Sequence, residues 1–508
     1  MRYRLLDTLR DYGRERLQAS DEWGELRRRH RDWCLALAEQ AEQELQGAEQ
    51  AAWLDRLERE HENLQAALAT CLDDLTADKT GLRLAAALWP FWRRRSHFSV
   101  GRRWLEQILL RAHGPALPRM RALIGAGQLA RLQHEEAAAQ GFYEEALELA
   151  RQLGDARGIA FGLHNLANLA LGRGSFEQAR AWYEEALQLW REEADPLQIA
   201  QTLFTLGEVS LTQANYDQAG GYYAESLRLR RDWKDTWGMV GPLQRLGLIA
   251  LYRTEYASAR SLLEESVALC RRLQAGYMLI EPLAFLARLS LEQGEFEPAR
   301  RQLAESLLLA RSYKARSLIT LDVAFQGDVA LCSGDLEAAD ALYEEAQVEY
   351  SAAYRRLDAT YFPSRRGQVA LYRGEWRRAR DLLEENLSLA REIGQKRETA
   401  QALADLALLA QRQREGRRAF RLYRESLTLR VEMGDRRGIA ECLEGLASVA
   451  VAAASMRRAA RLFAAAASLR EGLRAPLPPI ARGDYDRDLD STRHALCPGG
   501  FEDAWSRS

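Results

Sequence analysis

The sequence predicts an all-α fold, a solenoid of antiparallel helix pairs stacked at a 40-residue period. Three features in one register carry this reading. An alanine recurs at Ala139, Ala179, Ala219, Ala259, Ala299, Ala339, Ala379, Ala419 and Ala459. Four residues after each stands a large side chain, in order Tyr143, Tyr183, Tyr223, Leu263, Leu303, Tyr343, Leu383, Tyr423 and Phe463. Twelve residues before each stands a small one: Gly127, Ala167, Gly207, Gly247, Ala287, Gly327, Gly367, Ala407 and Ala447.

Each unit reads as two helices. Leu203-x2-Leu206-Gly207-x2-Ser210-Leu211 and Ala219-x3-Tyr223-x2-Ser226-Leu227 both have the i, i+3, i+4, i+7 spacing of an amphipathic helix. Gly174, Gly294, Gly334 and Gly374 mark the joint inside a pair, where a left-handed residue ends the first helix. Gly154-Asp155 and Gly434-Asp435 mark the joint between pairs, with the aspartate placed to cap the next helix. Antiparallel helices approach closely only where facing residues are small, so the register predicts that each large side chain fills the space beside the small one. A single pair cannot bury both faces, and stacking completes the core. Pro242, Pro282 and Pro363 fall early in first helices, either as helix starts or as bends, and the repeat at 360–398 is the least regular.

Composition agrees. Hydrophobic residues make up 47% and charged residues 28%, with only 12 Pro, as in a water-soluble, helix-rich chain. The 71 basic and 73 acidic residues nearly cancel, so no global field holds the chain on nucleic acid or an anionic membrane, and neither is expected as a direct partner. The 6 cysteines are scattered without a CxxC pair, which argues against a zinc site or a disulfide framework and fits a reducing cytoplasm. No signal peptide is expected, because the chain is charged at Arg2 and Arg4 and again by Asp7. The weakly polar run Leu446 to Met456 is too short to span a bilayer.

The order large-x2-Leu-small, then Ala-x3-aromatic, resembles the tetratricopeptide (TPR) consensus, in a version longer than the usual unit. HEAT and armadillo repeats match the length better but not the register. The resemblance covers 120–470 and implies a right-handed superhelical solenoid with first helices on its inner wall. Before the array, residues 1–75 form an N-terminal helical linker region, including the stretch Tyr3 to Leu17, Arg29-His30 and Glu60-His61-Glu62-Asn63-Leu64. These segments resemble the stretch that joins the winged-helix part of NB-ARC (STAND-type) signalling ATPases to their TPR half, in LuxR-like bacterial transcriptional regulators. Residues 76–119, with Trp89, Trp92 and Trp104, read as an irregular first helix pair. Residues 471–508 read as C-terminal capping helices, and Ala495-Leu496-Cys497-x3-Phe501-x2-Ala504-Trp505 resembles the tail of the same regulators.

Candidate chemistry is sparse. The glutamate pairs Glu144/Glu145, Glu184/Glu185, Glu264/Glu265, Glu344/Glu345 and Glu384/Glu385 recur with the repeat, as solvated faces do and a catalytic pair does not. The 7 histidines form no HExxH or Cys/His cluster, and His61 reads as a polar residue of a linker helix. Arg27-Arg28-Arg29-His30-Arg31 and Arg93-Arg94-Arg95 are short basic runs of the kind usually solvated on helices. No GxxxxGK[ST] is present: the lysines follow Asp78, Trp233, Tyr313 and Gln395, so no nucleotide, cofactor or metal is expected to bind. In the absence of any convergent constellation the chain does not read as an enzyme.

The expected function is a TPR protein-interaction and sensor module, the regulatory half of a STAND-type ATPase or transcriptional regulator. The alternative is a structural adaptor that scaffolds a complex. By the same resemblance the concave groove is lined by His164, Asn165, Asn168, Phe204, Glu208, Gln244, Arg245, Phe285 and Arg288, facing a protein, peptide or small effector. An ATPase or DNA-binding partner is implied in cis or in trans. Whether the chain is a piece of a longer regulator stays open at this point.

Overall fold

The computed structural model describes residues 12–13, 15–17, 20, 22–45, 50–74, 77–112, 114–133, 135–213, 215–349, 360–496 and 498–506. The stretch 3–11, used above for the family resemblance, and Cys497 lie outside them. The described residues form helices in consecutive pairs and no strand. They divide into two compact units, 1–202 and 203–508.

In the first unit, α1 (Trp23–Glu44), α2 (Gln50–Arg59), α3 (His61–Asp73), α4 (Asp78–Arg94) and α5 (Phe98–Arg111) precede the regular pairs α6 (Ala116–Leu132) with α7 (Glu136–Leu153) and α8 (Ala156–Gly172) with α9 (Phe176–Glu192). The early helices share one core, with Phe91, Trp92, Leu64 and Leu105 fully buried. Glycines make room for the tryptophans: a Cβ on Gly101 would lie 2.6 Å from Trp92, and one on Gly125 2.7 Å from Trp89. The basic runs are used internally. Arg27 pairs with Asp73 at 2.6 Å and Arg31 with Asp74 at 3.1 Å, while Arg95 pairs with Asp55 and Arg93 lies over the Trp89 ring.

The division falls within α10 (Pro196–Thr212). The second unit continues through α11 (Tyr216–Asp232), α12 (Val240–Tyr252), α13 (Tyr256–Arg272), α14 (Gly276–Glu292), α15 (Phe296–Ser312), α16 (Arg316–Ser333) and α17 (Leu336–Glu349). It then runs through α18 (Tyr361–Arg373), α19 (Trp376–Glu392), α20 (Lys396–Arg412), α21 (Gly416–Met433), α22 (Arg436–Ala452) and α23 (Met456–Leu473). The helices α24 (Pro479–Ala495) and α25 (Pro498–Ser506) close it. Both pack on α23, and α24 also reaches back to α16. First helices touch one another along the stack, α12 with α14, α14 with α16, α18 with α20 and α20 with α22, so they form one wall.

The predicted small–large pairing is the packing rule of both units. A Cβ on Gly127 would lie 2.5 Å from Tyr143, on Gly207 2.5 Å from Tyr223, on Gly247 2.7 Å from Leu263 and on Gly327 2.6 Å from Tyr343. Tyr143, Tyr183, Tyr223 and Tyr343 are fully buried. The glutamate pairs fall on the exposed faces of the second helices, with Glu265 half-buried.

The joints follow a finer rule than the sequence suggests. A left-handed residue ends helices every 20 residues, at Gly154, Gly174, Ala194, Lys234, Thr254, Gln274, Gly294, Lys314, Gly334, Gly374, Gly394, Arg414, Gly434, Ala454 and Arg474. Only some are glycine, and the others hold a conformation that costs an L-residue roughly 1–2 kcal/mol. Asp435 caps α22 by accepting from the Gly438 N–H at 2.9 Å, and Asp235 does the same for Gly238. Asp155 makes no such bond, so the capping role expected of it is not realised.

Pro242 and Pro363 sit in first turns, whereas Pro282 lies inside α14. A proline there lacks the N–H that would reach the carbonyl of Met278. The Gln244 side-chain amide donates to that carbonyl instead, at 3.0 Å from the preceding first helix. In the irregular repeat, α18 spans 13 residues where most first helices span 17.

Candidate binding site on the first helices

The first helices present one side chain to the wall about every turn, and the 40-residue period repeats those positions. In the first unit the wall includes His164, Asn165 and Asn168 on α8. Asn168 accepts from the Tyr183 hydroxyl at 2.9 Å. Asn165 is buried, accepts from Gln128 at 2.6 Å and donates to the Phe161 carbonyl at 2.8 Å. His164 is half-buried, edge-on to Tyr183, and burial, reinforced by Arg131, pulls its pKa down to about 4. The ring is therefore neutral.

In the second unit the wall is more highly charged. Glu208 accepts from the Tyr223 hydroxyl at 2.5 Å and from Arg245 Nε at 2.9 Å, and Arg245 also meets Glu281 at 3.5 Å. Burial alone would lower the Arg245 pKa, but Glu208 and Glu281 outweigh it and hold the guanidinium above its ordinary range. Phe204 packs on Tyr223 with ring centroids 5.5 Å apart. Gln244 is buried against Met278 as described, and Phe285 is also buried. Arg288 lies over the Phe325 ring at 5.5 Å and contacts Glu292 at 3.4 Å.

Thus several predicted groove residues hold the stack together. At three core tyrosines the residue fifteen positions before accepts the hydroxyl, Asn168 for Tyr183, Glu208 for Tyr223 and Asp328 for Tyr343, the last at 2.8 Å, whereas at Tyr143 the corresponding Gln128 donates to Asn165 instead. Where that position is Leu408, Tyr423 turns to Gln411 at 3.2 Å. The signal was present in the sequence, because an acceptor and a tyrosine recur at a fixed offset.

The sequence reading missed a set of charges farther along. Arg365 pairs with Asp328 at 2.9 Å, Arg430 with Asp435 at 3.2 Å, and Gln368 donates to Asp405 at 3.0 Å. Arg397 donates to the Tyr252 carbonyl at 3.3 Å and lies over its ring, and Arg437 meets Glu292 at 3.6 Å. These last contacts join first helices 145 positions apart in the chain. Burial alone would raise Glu292, but Arg437, Arg288 and Arg397 outweigh it and hold its carboxyl below the ordinary range. Burial pushes Asp405 up to about 7 against its bonds to Gln368 and Gln401. The wall is thus a lattice of ion pairs with aromatic rings between them.

Two other places stand apart from it. A hollow of about 650 Å³ includes Arg366, Trp376, Arg377 and Arg378 in its lining, at the start of the second helix α19. In the first unit His61 does not stand alone as a linker residue, because His97 lies beside it with ring centroids 4.6 Å apart. No described helix is long and apolar enough to cross a membrane.

Models of the tetratricopeptide repeat match residues 158–232 and 399–433. Proteins named as putative HTH-type transcriptional regulators of Mycobacterium bovis and Mycobacterium tuberculosis are 37% identical over 108 residues, which is 21% of this chain and 12% of theirs. The match thus spans about an eighth of the length of those relatives. Among solved structures, a Rap protein complexed with competence and sporulation factor aligns with 73% of this chain and 99% of its own, at 13% identity and a TM-score of 0.50. A Pyrococcus horikoshii STAND protein with a tetratricopeptide repeat sensor aligns with 68% of this chain and 55% of its own, at 14% identity and a TM-score of 0.46.

Proposed function

We propose that this tetratricopeptide-repeat chain is a non-enzymatic recognition and sensor module, the regulatory part of a STAND-type signalling ATPase or an HTH-type transcriptional regulator. It takes a protein, a peptide or a small effector on its first-helix wall, and occupancy biases an ATPase or DNA-binding partner in cis or in trans. One observation carries the reading. The wall of the second unit concentrates Arg245, Arg288, Arg365, Arg397 and Arg437 with their carboxylates and rings on helices that also pack on their second helices. A charged ligand can exchange with such pairs one at a time, so binding and rearrangement of the stack are coupled. The Rap structure was solved with a factor bound, and the mycobacterial relatives are named as regulators; both support the reading.

The rival reading, a structural adaptor, draws on the same contacts, since the Arg437–Glu292 ion pair and the Arg397 bond to the Tyr252 carbonyl also hold the wall together without a ligand. Limited proteolysis with and without candidate partners separates the two. A sensor gains ligand-dependent protection, and Phe204→Ala or Arg288→Ala weakens it while the fold is retained. A partner that binds with unchanged cleavage, and equally well to both variants, refutes sensing by this wall.

A further inference from the structure

In the first unit, the ends of α2 and α3 and the residue before α5 bring Glu58, His61 and His97 together. One ligand-capable atom from each lies within 4.8 Å of the others. His97 Nε2 is 3.1 Å from both carboxylate oxygens of Glu58. The His61 Nε2 atom is buried and has no hydrogen-bond partner, a costly state for a ring nitrogen unless something else fills it. Phe91 packs against both imidazoles, with centroids 5.4 Å from His61 and 5.7 Å from His97, and forms an apolar wall behind them.

We propose that Glu58, His61 and His97 form a binding site for one zinc-class divalent ion. Two ligands about 2.0–2.2 Å from one Zn²⁺, at angles of about 90–110°, stand roughly 2.9–3.5 Å apart. The Glu58–His97 separation of 3.1 Å already has that value, and His61 closes the set by a side-chain rotation. Two imidazoles with one carboxylate suit Zn²⁺, Ni²⁺ or Cu²⁺, whereas Mg²⁺ and Ca²⁺ call for oxygen ligands alone. Three protein ligands leave a position for water.

A plain histidine–carboxylate pair accounts for His97 and Glu58 but leaves the His61 nitrogen unsatisfied; a shared cation satisfies all three. A bound ion ties the break between α2 and α3 to the start of α5. The pattern is invisible to motif reading, because the ligands lie at 58, 61 and 97 on three elements and match no compact metal signature.

The test is titration of the metal-stripped full chain with Zn²⁺ against a chromophoric chelator, on wild type, Glu58→Gln, His61→Ala and His97→Ala. One tight equivalent is expected in wild type, weakened at least about tenfold in each variant. Because a variant can fail to fold, carbethoxylation of wild type with and without Zn²⁺, mapped by mass spectrometry, supplies an independent reading. The site predicts protection of His61 and His97 and not of His30 or His494. Absence of the tight equivalent, its persistence in the three variants, or protection that spares His61 and His97 overturns the assignment.

Discussion

Asp322 gives the sharpest test of how the stack is held together. It is fully buried on α16, and its Oδ2 atom has no partner. Ser306 Oγ stands 2.9 Å from Asp322 Oδ1 and 3.0 Å from the Ile280 carbonyl, yet a hydroxyl has one proton to give. An ionised Asp322 therefore takes that proton and leaves the Ile280 contact unmade. A protonated Asp322 donates to Ser306, and Ser306 donates to Ile280. Burial pushes the carboxyl from its ordinary 3.8 up to about 7, against the Ser306 bond, which pulls it down.

The sign follows from proton counting. Between 3.8 and about 7 the folded chain holds a proton that the unfolded chain has lost, so stability falls as pH rises. At about 1.4 kcal/mol per pH unit, the loss reaches roughly 4 kcal/mol by neutrality and is flat above. Asp322→Asn keeps the shape, can donate to Ser306 and carries no charge, so it removes the dependence. Urea unfolding followed by circular dichroism is expected to show the variant's advantage growing by about 2–3 kcal/mol between pH 5 and pH 8. Asp405, also raised to about 7, is present in both proteins and cancels in the difference. A difference that stays constant with pH, or an Asn variant that is less stable at pH 8, refutes the reasoning.

Three further outcomes follow from the packing. Tyr183→Ala should cost about 3–5 kcal/mol as a core cavity, and Tyr183→Phe about 1 kcal/mol through the bond to Asn168, both read from denaturant midpoints; equal losses contradict the division between ring and hydroxyl. Lys234→Gly and Arg414→Gly relieve left-handed residues at φ 55° and 63° and should each stabilise by roughly 0.5–1 kcal/mol in thermal melts. Gln244→Ala strands the Met278 carbonyl and should cost about 1–3 kcal/mol. In a Pro282→Ala background the restored N–H takes over that carbonyl, so the same change should cost measurably less, and a double-mutant cycle showing additivity removes the explanation.

The repeat was legible because its physics is local. A small residue, an alanine and a large residue at fixed offsets state which faces meet, and Gly207 beside Tyr223 or Gly327 beside Tyr343 needs no more than that. The joints were half legible. Gly154 and Gly334 declare a left-handed residue, but Lys234, Thr254 and Gln274 adopt the same conformation because the helices on either side determine it. Asp155 failed as a cap where Asp435 succeeded, although both follow a left-handed glycine; Asp435, like Asp235, is held by an arginine five residues earlier, Arg430 and Arg230, where Asp155 has Ala150.

The wall shows the other limit. Periodicity assigns Glu208, Arg245 and Arg288 to one face, but whether a residue on that face is available depends on what lies across from it. For Arg245 the answer is Glu208, one first helix away, and the offset could have been found. For Arg397 and Arg437 it is Tyr252 and Glu292, 145 residues earlier, and no repeat of 40 points there because the contact joins different positions of non-adjacent pairs. A charge on this wall is therefore a binding group only to the extent that a ligand outcompetes its present partner. The Arg245–Glu208 pair, partly exposed on both sides, exchanges at lower cost than Arg430, whose side chain is only 3% exposed. Recognition should accordingly begin at the first helices α10 and α14, where Phe204 and Arg288 retain solvent access, and reach the buried pairs only as the stack yields.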